Sequence, residues 1–305
     1  MSKKNKKDFL TLKDYDSKTI KYLLDTAGDV KSDPSKYSKV LEGKNIALLF
    51  DKHSTRTRLS FEAGISQMGG NAIYLDAKNL QLSRGETYAD TAKIFSGYLD
   101  AVVIRTFSHS TVEIFAEEGS IPVINGLTDM YHPCQVLSDL FTVKEAGLMQ
   151  PGLKFTYVGD SNNVTNSLMV GLAKLGYKLT IVSPPEYKPG QEIMKYIGSI
   201  EGSNVSIVTD PVEAVKDADI VYTDIWISMG DTESDQKVKK LSSYQLNKEL
   251  LSHAADDVVI MHCLPAHRGE EITSEVLDGP NSIVLKQAEN RLHAQKALLA
   301  YIFAS

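Results

Sequence analysis

The stretch His53-Ser54-Thr55-Arg56-Thr57-Arg58 interleaves guanidinium groups with hydroxyls directly after the apolar run "IALLF". If a buried strand hands over there to a helix beginning near Ser54 or Thr55, the free backbone N–H groups of its first turn face whatever lies beyond the strand. The positive end of the helix dipole faces the same way. Hydroxyls at Ser54, Thr55 and Thr57 and the forked guanidinium of Arg56 then form a cradle for phosphate oxygens. Arg56 and Arg58 are two apart, so a helix sends them in different directions. Arg56 is assigned to the ligand and Arg58 to a structural ion pair. A hydroxyl cap followed by solvated arginines fits the same residues. This is not a P-loop, because the G-x-x-x-x-G-K pattern is missing.

Other polar clusters share that placement. "RTFSHS" follows "AVVI", "YHPCQ" follows "PVINGLTDM", "GDSNN" follows "FTYV", "TDIWISMG" follows "DIVY", and "HCLPAHRGEE" follows "VVIM". Each sits at the carboxyl end of a presumed parallel strand, the edge at which open α/β sheets bind ligands. Two such edges facing one another across an interdomain cleft would gather the clusters into one site. Taken singly, each residue has a plainer reading: His132 as a cap or core histidine, Arg105 as a surface ion pair, Asn163 as a turn residue, Asp224 as a helix cap, Cys263 as buried packing.

The elements that must position these groups are short β-rich runs: "NIALLF", "NAIYLD", "AVVIRT", "IPVING", "KFTYVGD", "KLTIVSP", "VSIVTD", "DIVYTD", "VVIMHC" and "SIVLKQ". Several are continuously apolar, as strands covered on both faces are. Segments of helical spacing separate them, with Phe61, Ile65 and Met68 as one stripe. Alternating β and α elements predict an α/β fold with parallel sheets and right-handed crossovers. A chain of 305 residues exceeds the usual single core. The segment Glu145–Lys154, "EAGLMQPGLK", reads as a boundary. We expect two domains, 1–148 and 149–287, each a parallel sheet flanked by helices, with the last helix, 288–305, packing back on the first. Leu292, Leu299 and Phe303 are expected on one side of that helix.

The totals exclude several classes. Hydrophobic residues make up 42% and charged residues 24%, an ordinary globular composition, and the net charge of −6 argues against a general nucleic-acid binder. No apolar run approaches the roughly 20 residues of a membrane span. The basic start lacks the apolar segment of a secretory signal, and two cysteines make no disulfide framework, so a cytoplasmic location is expected. None of the His/Cys clusters has paired zinc spacing, and neither metal nor cofactor is expected.

"STRTR", "HPCQ", "DIWISMG" and "HCLPAHRGEE", in this order and at these separations, resemble the ornithine carbamoyltransferases, from about Phe9 to the last helix. The resemblance implies two α/β domains with the active site in the cleft, homotrimers or higher multiples of trimers, and a place in arginine metabolism. The implied reaction joins carbamoyl phosphate to the δ-amine of L-ornithine, giving citrulline and phosphate. The implied carbamoyl phosphate site comprises Ser54, Thr55, Arg56, Thr57, Gln81, Arg105, His132, Gln135, Cys263, Leu264 and Arg291, with Gln81 supplied by an adjacent protomer. Asn163, Asp224, Ser228 and Met229 would hold ornithine. Arg105, His132, Cys263 and Arg291 would act in catalysis, Cys263 near the reacting amine, and Pro265 would follow Leu264 through a cis peptide. Cys134 is read as packing.

Three rivals remain. A sister transferase would take aspartate, putrescine or an acylated ornithine. A two-domain binding protein would clamp an anion without chemistry. A nucleotide-dependent dehydrogenase would need the G-x-G-x-x-G that "YVGDSNN" lacks.

Overall fold

The computed structural model describes residues 6–227 and 234–304. It divides into two compact units: residues 1–141 with 290–305, and residues 142–289. These divisions fall inside the helices Pro133–Glu145 and Val284–Phe303.

The first unit contains β1 (Asn45–Phe50), β2 (Asn71–Asp76), β3 (Ala101–Arg105) and β4 (Val123–Leu127) in one parallel sheet of order β2-β1-β3-β4. Its central strands are buried on both faces, which accounts for their unbroken apolar sequences. The chain proceeds outward from β1 to β2 and then returns to the other side of β1 for β3. The switch point therefore lies between β1 and β3. There Phe50 pairs with Arg105, and the amide of Asp51 donates to the Arg105 carbonyl at 2.8 Å. The loop after β1 and the side chain that ends β3 are thus neighbours by register. Phe61, Ile65 and Met68 are fully buried, as their spacing predicts.

The second unit contains β5 (Lys154–Val158), β6 (Lys178–Val182), β7 (Asn204–Val208), β8 (Ile220–Thr223) and β9 (Val259–His262), parallel and in the order β7-β6-β5-β8-β9. Its switch point lies between β5 and β8. Tyr157 pairs with Tyr222, and Thr223 with His262, so the loops after β5, β8 and β9 open side by side.

The run "SIVLKQ" departs from expectation. Ser282 makes a single bridge to Ile260, and the helix begins at Val284, ahead of the expected residue 288. Leu285, Lys286, Gln287 and Ala288 all favour helix, and a short apolar run does not by its period distinguish a strand from a helix start. That helix also lacks a single apolar stripe. Residues 294–300 are buried all round, including Gln295 and Lys296, while Leu292 and Phe303 are only partly covered.

Candidate active site

The residues that the sequence assigns to a phosphate cradle lie at the first switch point. The helix Thr55–Gln67 is capped by Ser54, whose hydroxyl accepts from the Thr57 amide at 3.2 Å. Arg58 turns away from the helix start: it pairs with Glu62 at 2.9 Å and lies 3.7 Å from the Tyr74 ring centroid. The Arg56 guanidinium, by contrast, has no hydrogen bond or ion pair among the described residues. Thr55 is exposed. Beside them a cavity of about 170 Å³ is lined by Asp51, Lys78, Ser83, Arg105 and Thr106. Lys52, which the sequence reading passed over, is buried against Asp129 and lies 4.1 Å from the Phe107 ring centroid, adding a cation to the same loop.

A second set of groups converges from the helices Pro133–Glu145 and Val284–Phe303. Arg291 is 3% exposed; its Nη1 donates to Gln135 Oε1 at 2.5 Å and its Nη2 to Thr57 Oγ1 at 2.9 Å. Gln135 Nε2 donates in turn to the fully buried Asp139 at 2.8 Å. Gln135 thereby orients Arg291 and retains one amide N–H for a ligand. Burial first, and then the nearby Arg291 and Arg105, hold the His132 imidazole well below its ordinary pKa. It is therefore a neutral ring that can donate one hydrogen bond. Cys134 bonds the Asn125 carbonyl at 3.3 Å, and burial pushes its thiol up to about 12, which makes it inert packing. Gln81 opens a 3-10 turn and is exposed, with no side-chain bond to these groups.

In the second unit, Asp224 follows β8 and is 6% exposed. Its Oδ1 accepts from the Cys263 thiol at 2.8 Å and from the Ile225 amide at 2.8 Å; its Oδ2 accepts from Asn162 Nδ2 at 2.7 Å. All three donors are neutral. Asn163 is the first residue of the helix Asn163–Leu175, and Asn162 is its cap. The turn into that helix needs Gly159, at φ +128°, because a Cβ there would lie 3.3 Å from the Trp226 indole nitrogen.

After β9, the Leu264–Pro265 peptide is cis, as expected, and Leu264 has φ +55°. What holds this loop went unread in the sequence. The Leu264 amide donates to His262 Nδ1 at 2.9 Å, so Nδ1 bears the lone pair and Nε2 carries the proton. Nε2 meets Glu271 Oε1 at 3.0 Å, and the same oxygen accepts the His267 amide at 2.6 Å. His262 and Glu271 are both fully buried. Asp224, His262 and Cys263 place potential metal-ligand atoms within 4.8 Å of one another. The lone pair that His262 would offer a metal already accepts the Leu264 amide, so we assign this set to hydrogen bonding.

Thr57, Gln135 and Arg291 are joined directly, and His132 and Arg105 lie within electrostatic reach of that group. Asp224 and Cys263 are joined likewise. Ser228 and Met229 lie outside the described residues. The residues missed were Lys52, Asn162, Asp139, His262 and Glu271. His262 and Glu271 stood in the quoted "HCLPAHRGEE", and Asn162 stood beside Asn163; Asp139, four residues after Gln135, was signalled only by helical spacing.

Comparison with known proteins identifies both units. The carbamoyl-P binding domain model of aspartate/ornithine carbamoyltransferase matches residues 7–145, and the Asp/Orn binding domain model matches residues 151–302. The ornithine carbamoyltransferase of Bacillus subtilis (strain 168) is 53% identical over 300 residues, 97% of this chain and 93% of that protein. That of Oceanobacillus iheyensis is 51% identical over 304 residues, 98% and 94% of the two chains. Among solved structures, the ornithine carbamoyltransferase from Pyrococcus furiosus superposes with a TM-score of 0.92 at 47% identity, covering 96% of each chain. The anabolic enzyme from Campylobacter jejuni gives 0.92 at 40%, covering 97% and 98%. With both domain models matched and relatives aligned along almost all its length, the chain belongs to the aspartate/ornithine carbamoyltransferase family.

Proposed function

We propose that the protein transfers the carbamoyl group of carbamoyl phosphate to the δ-amine of L-ornithine, giving L-citrulline and phosphate. The observation that carries this is Asp224. A carboxylate 6% exposed and bonded, among the described residues, only by neutral donors is a buried anion awaiting a cation. An amino acid's α-ammonium supplies it. The first switch point has the opposite polarity: a helix N-terminus, Arg56 and the buried Arg291 suit a phosphorylated partner. The choice of ornithine within the family is supported by the names of relatives at 53% and 51% identity.

Phosphate is assigned to Ser54, Thr55, Arg56 and Thr57, and the carbamoyl carbonyl to Arg105, His132 and Arg291. Gln135 donates its remaining N–H to the carbamoyl group. Ornithine is assigned to Asn163, Asp224, Ser228 and Met229. The neutral δ-amine attacks the carbamoyl carbon, the C–O bond to phosphate breaks, and the amine proton is lost. Neutral His132 donates to the developing oxyanion while the guanidinium groups offset its charge. An amine of pKa about 10.4 is neutral in only a few molecules per ten thousand at pH 7, so the site must lower that pKa. Cys263, whose thiol donates to Asp224 Oδ1, is placed to relay the proton, passing its own to that carboxylate as it takes up the amine's. Holding the reactants in line supplies much of the remaining acceleration.

We further propose a cytoplasmic homotrimer, or a multiple of trimers, acting in arginine biosynthesis, with Gln81 reaching a neighbouring protomer's ligand. Two free cysteines fit a reducing compartment. Leu59 and Tyr98, 58% and 78% exposed, are apolar surface that self-association would cover.

The test is citrulline formation from carbamoyl phosphate and ornithine, with aspartate, putrescine and acetylornithine as competing acceptors, beside Arg56→Ala. Citrulline should be the dominant product, and the variant should fold normally yet lose carbamoyl phosphate binding. Preference for another acceptor, or wild-type turnover by the variant, would overturn the assignment.

A further inference from the structure

We infer that Asn162 is a positioning residue for the amino-acid substrate: its one side chain caps a helix and fixes the direction of the Asp224 carboxylate. Oδ1 accepts from the Val164 amide at 2.9 Å and the Thr165 amide at 3.2 Å, while Thr165 Oγ1 accepts from the Asn162 amide at 3.2 Å. Those amides can meet only an acceptor, so Oδ1 must face them. Nδ2 must then face the other way, towards Asp224 Oδ2 at 2.7 Å. Each end of the amide thus confirms the orientation of the other.

The consequence for Asp224 follows from its acceptor capacity. An ionised carboxylate offers about four lone-pair directions. Cys263 and Ile225 take those of Oδ1, and Asn162 takes one of Oδ2. The remaining direction, on Oδ2, is what an incoming ammonium can use, and Asn162 settles where it points. The amide carries no charge, so it orients the anion without satisfying its need for a cation; a lysine there would have done both and competed with the ligand. The helix Asn163–Leu175 thereby serves as the fixed reference for a residue 62 positions away. This inference rests on Asp224 being the ammonium partner.

The cap and the donor can be separated. Asn162→Ser keeps a competent helix cap and removes the Nδ2 donor, whereas Asn162→Ala removes both. The full chain is assayed for thermal midpoint and for the KM of each substrate. Loss of a hydrogen bond to a charged group predicts an ornithine KM raised about tenfold in both variants. The KM for carbamoyl phosphate should be unchanged, and the midpoint should fall only in the alanine variant. An unchanged ornithine KM in the serine variant overturns the proposal. So does a KM that rises only with alanine, in step with the midpoint. In an Asp224→Asn background, adding Asn162→Ser should raise KM no further, because a residue acting through Asp224 has nothing left to orient. A full further increase there would mean that Asn162 touches ornithine itself. An unchanged ornithine KM in Asp224→Asn alone would remove the underlying assignment of Asp224, a failure distinguishable from the others.

Discussion

The two switch points use opposite means to prepare for a charged ligand. In the first unit the groups committed to internal bonds are cations and their supports: Arg291 is held by Gln135 and Thr57, and Gln135 by Asp139. Arg56 is half-buried with no partner for its guanidinium among the described residues, and Thr55 at the helix start is exposed. In the second unit one anion, Asp224, is held by an amide, a thiol and its neighbour's backbone. On the proposed function, the first arrangement would surround a multiply charged phosphate with several partners, and the second would reserve a single acceptor direction for one ammonium. Anion recognition would then be spread over many groups, and cation recognition concentrated in one.

The largest effect should come from breaking that contrast within the first unit, between its two arginines. Arg291→Ala removes two charge-assisted bonds at a buried site and leaves Gln135 Oε1 without its donor; the expected loss of stability is roughly 3 kcal/mol. Arg56→Ala removes a side chain with no partner among the described residues, so its stability should stay within about 0.5 kcal/mol of wild type. Both variants should bind carbamoyl phosphate poorly. Urea unfolding beside a binding titration separates them, and equal stabilities would show that Arg291 is not the structural member of the pair.

The same contrast explains what could be read in advance. The bonding around the first switch point was legible because it is local: "HSTRTR" carries a hydroxyl cap and a half-buried arginine, and Glu62, four residues after Arg58, supplies its ion pair. Apolar runs likewise announced the nine strands found among the described residues. "SIVLKQ" misled because an apolar run of that length fits a strand and the first turn of a buried helix equally well. The supports were not legible. Arg291 meets Gln135 across 156 positions and Asn162 meets Asp224 across 62. No spacing rule reaches so far, since those contacts depend on which strands become neighbours at the switch points. Asn162 was hidden for a further reason: a cap accounts for an asparagine fully, and nothing local suggests that its amide nitrogen has a second task.

A smaller effect tests how the second unit holds its loop. His262→Leu leaves the buried Glu271 carboxylate with the His267 amide alone and deprives the Leu264 amide of its acceptor, at an expected cost of about 2 kcal/mol. Adding Glu271→Met should restore much of that stability, because an apolar pair can replace a buried polar one. It should not restore the ornithine KM, since Leu264 would still lack its hydrogen bond and the Cys263 thiol beside Asp224 its fixed backbone. Recovery of both properties would mean that the pair serves stability alone.

The smallest effect belongs to the first unit and concerns protons. Burial, with Arg291 and Arg105 nearby, keeps the His132 imidazole neutral in the folded chain well below its ordinary value of 6.5. Once unfolded, the ring takes up a proton as the pH drops through that value, so acid favours the unfolded state. Stability from this group is complete above pH 6.5 and declines below it, by at most about 1.4 kcal/mol per pH unit, until the lower folded pKa is reached. Denaturation series at pH 7, 6 and 5 should show that decline, and His132→Gln should lessen it while keeping a side-chain donor. The same neutrality bears on the reaction. A ring held neutral by burial would, on the proposed function, offer the oxyanion a hydrogen bond rather than a transferable proton, so turnover below neutrality should follow protonation of the substrate amine and not of His132. An acid slope that His132→Gln leaves untouched would show that the imidazole is already protonated in the folded chain.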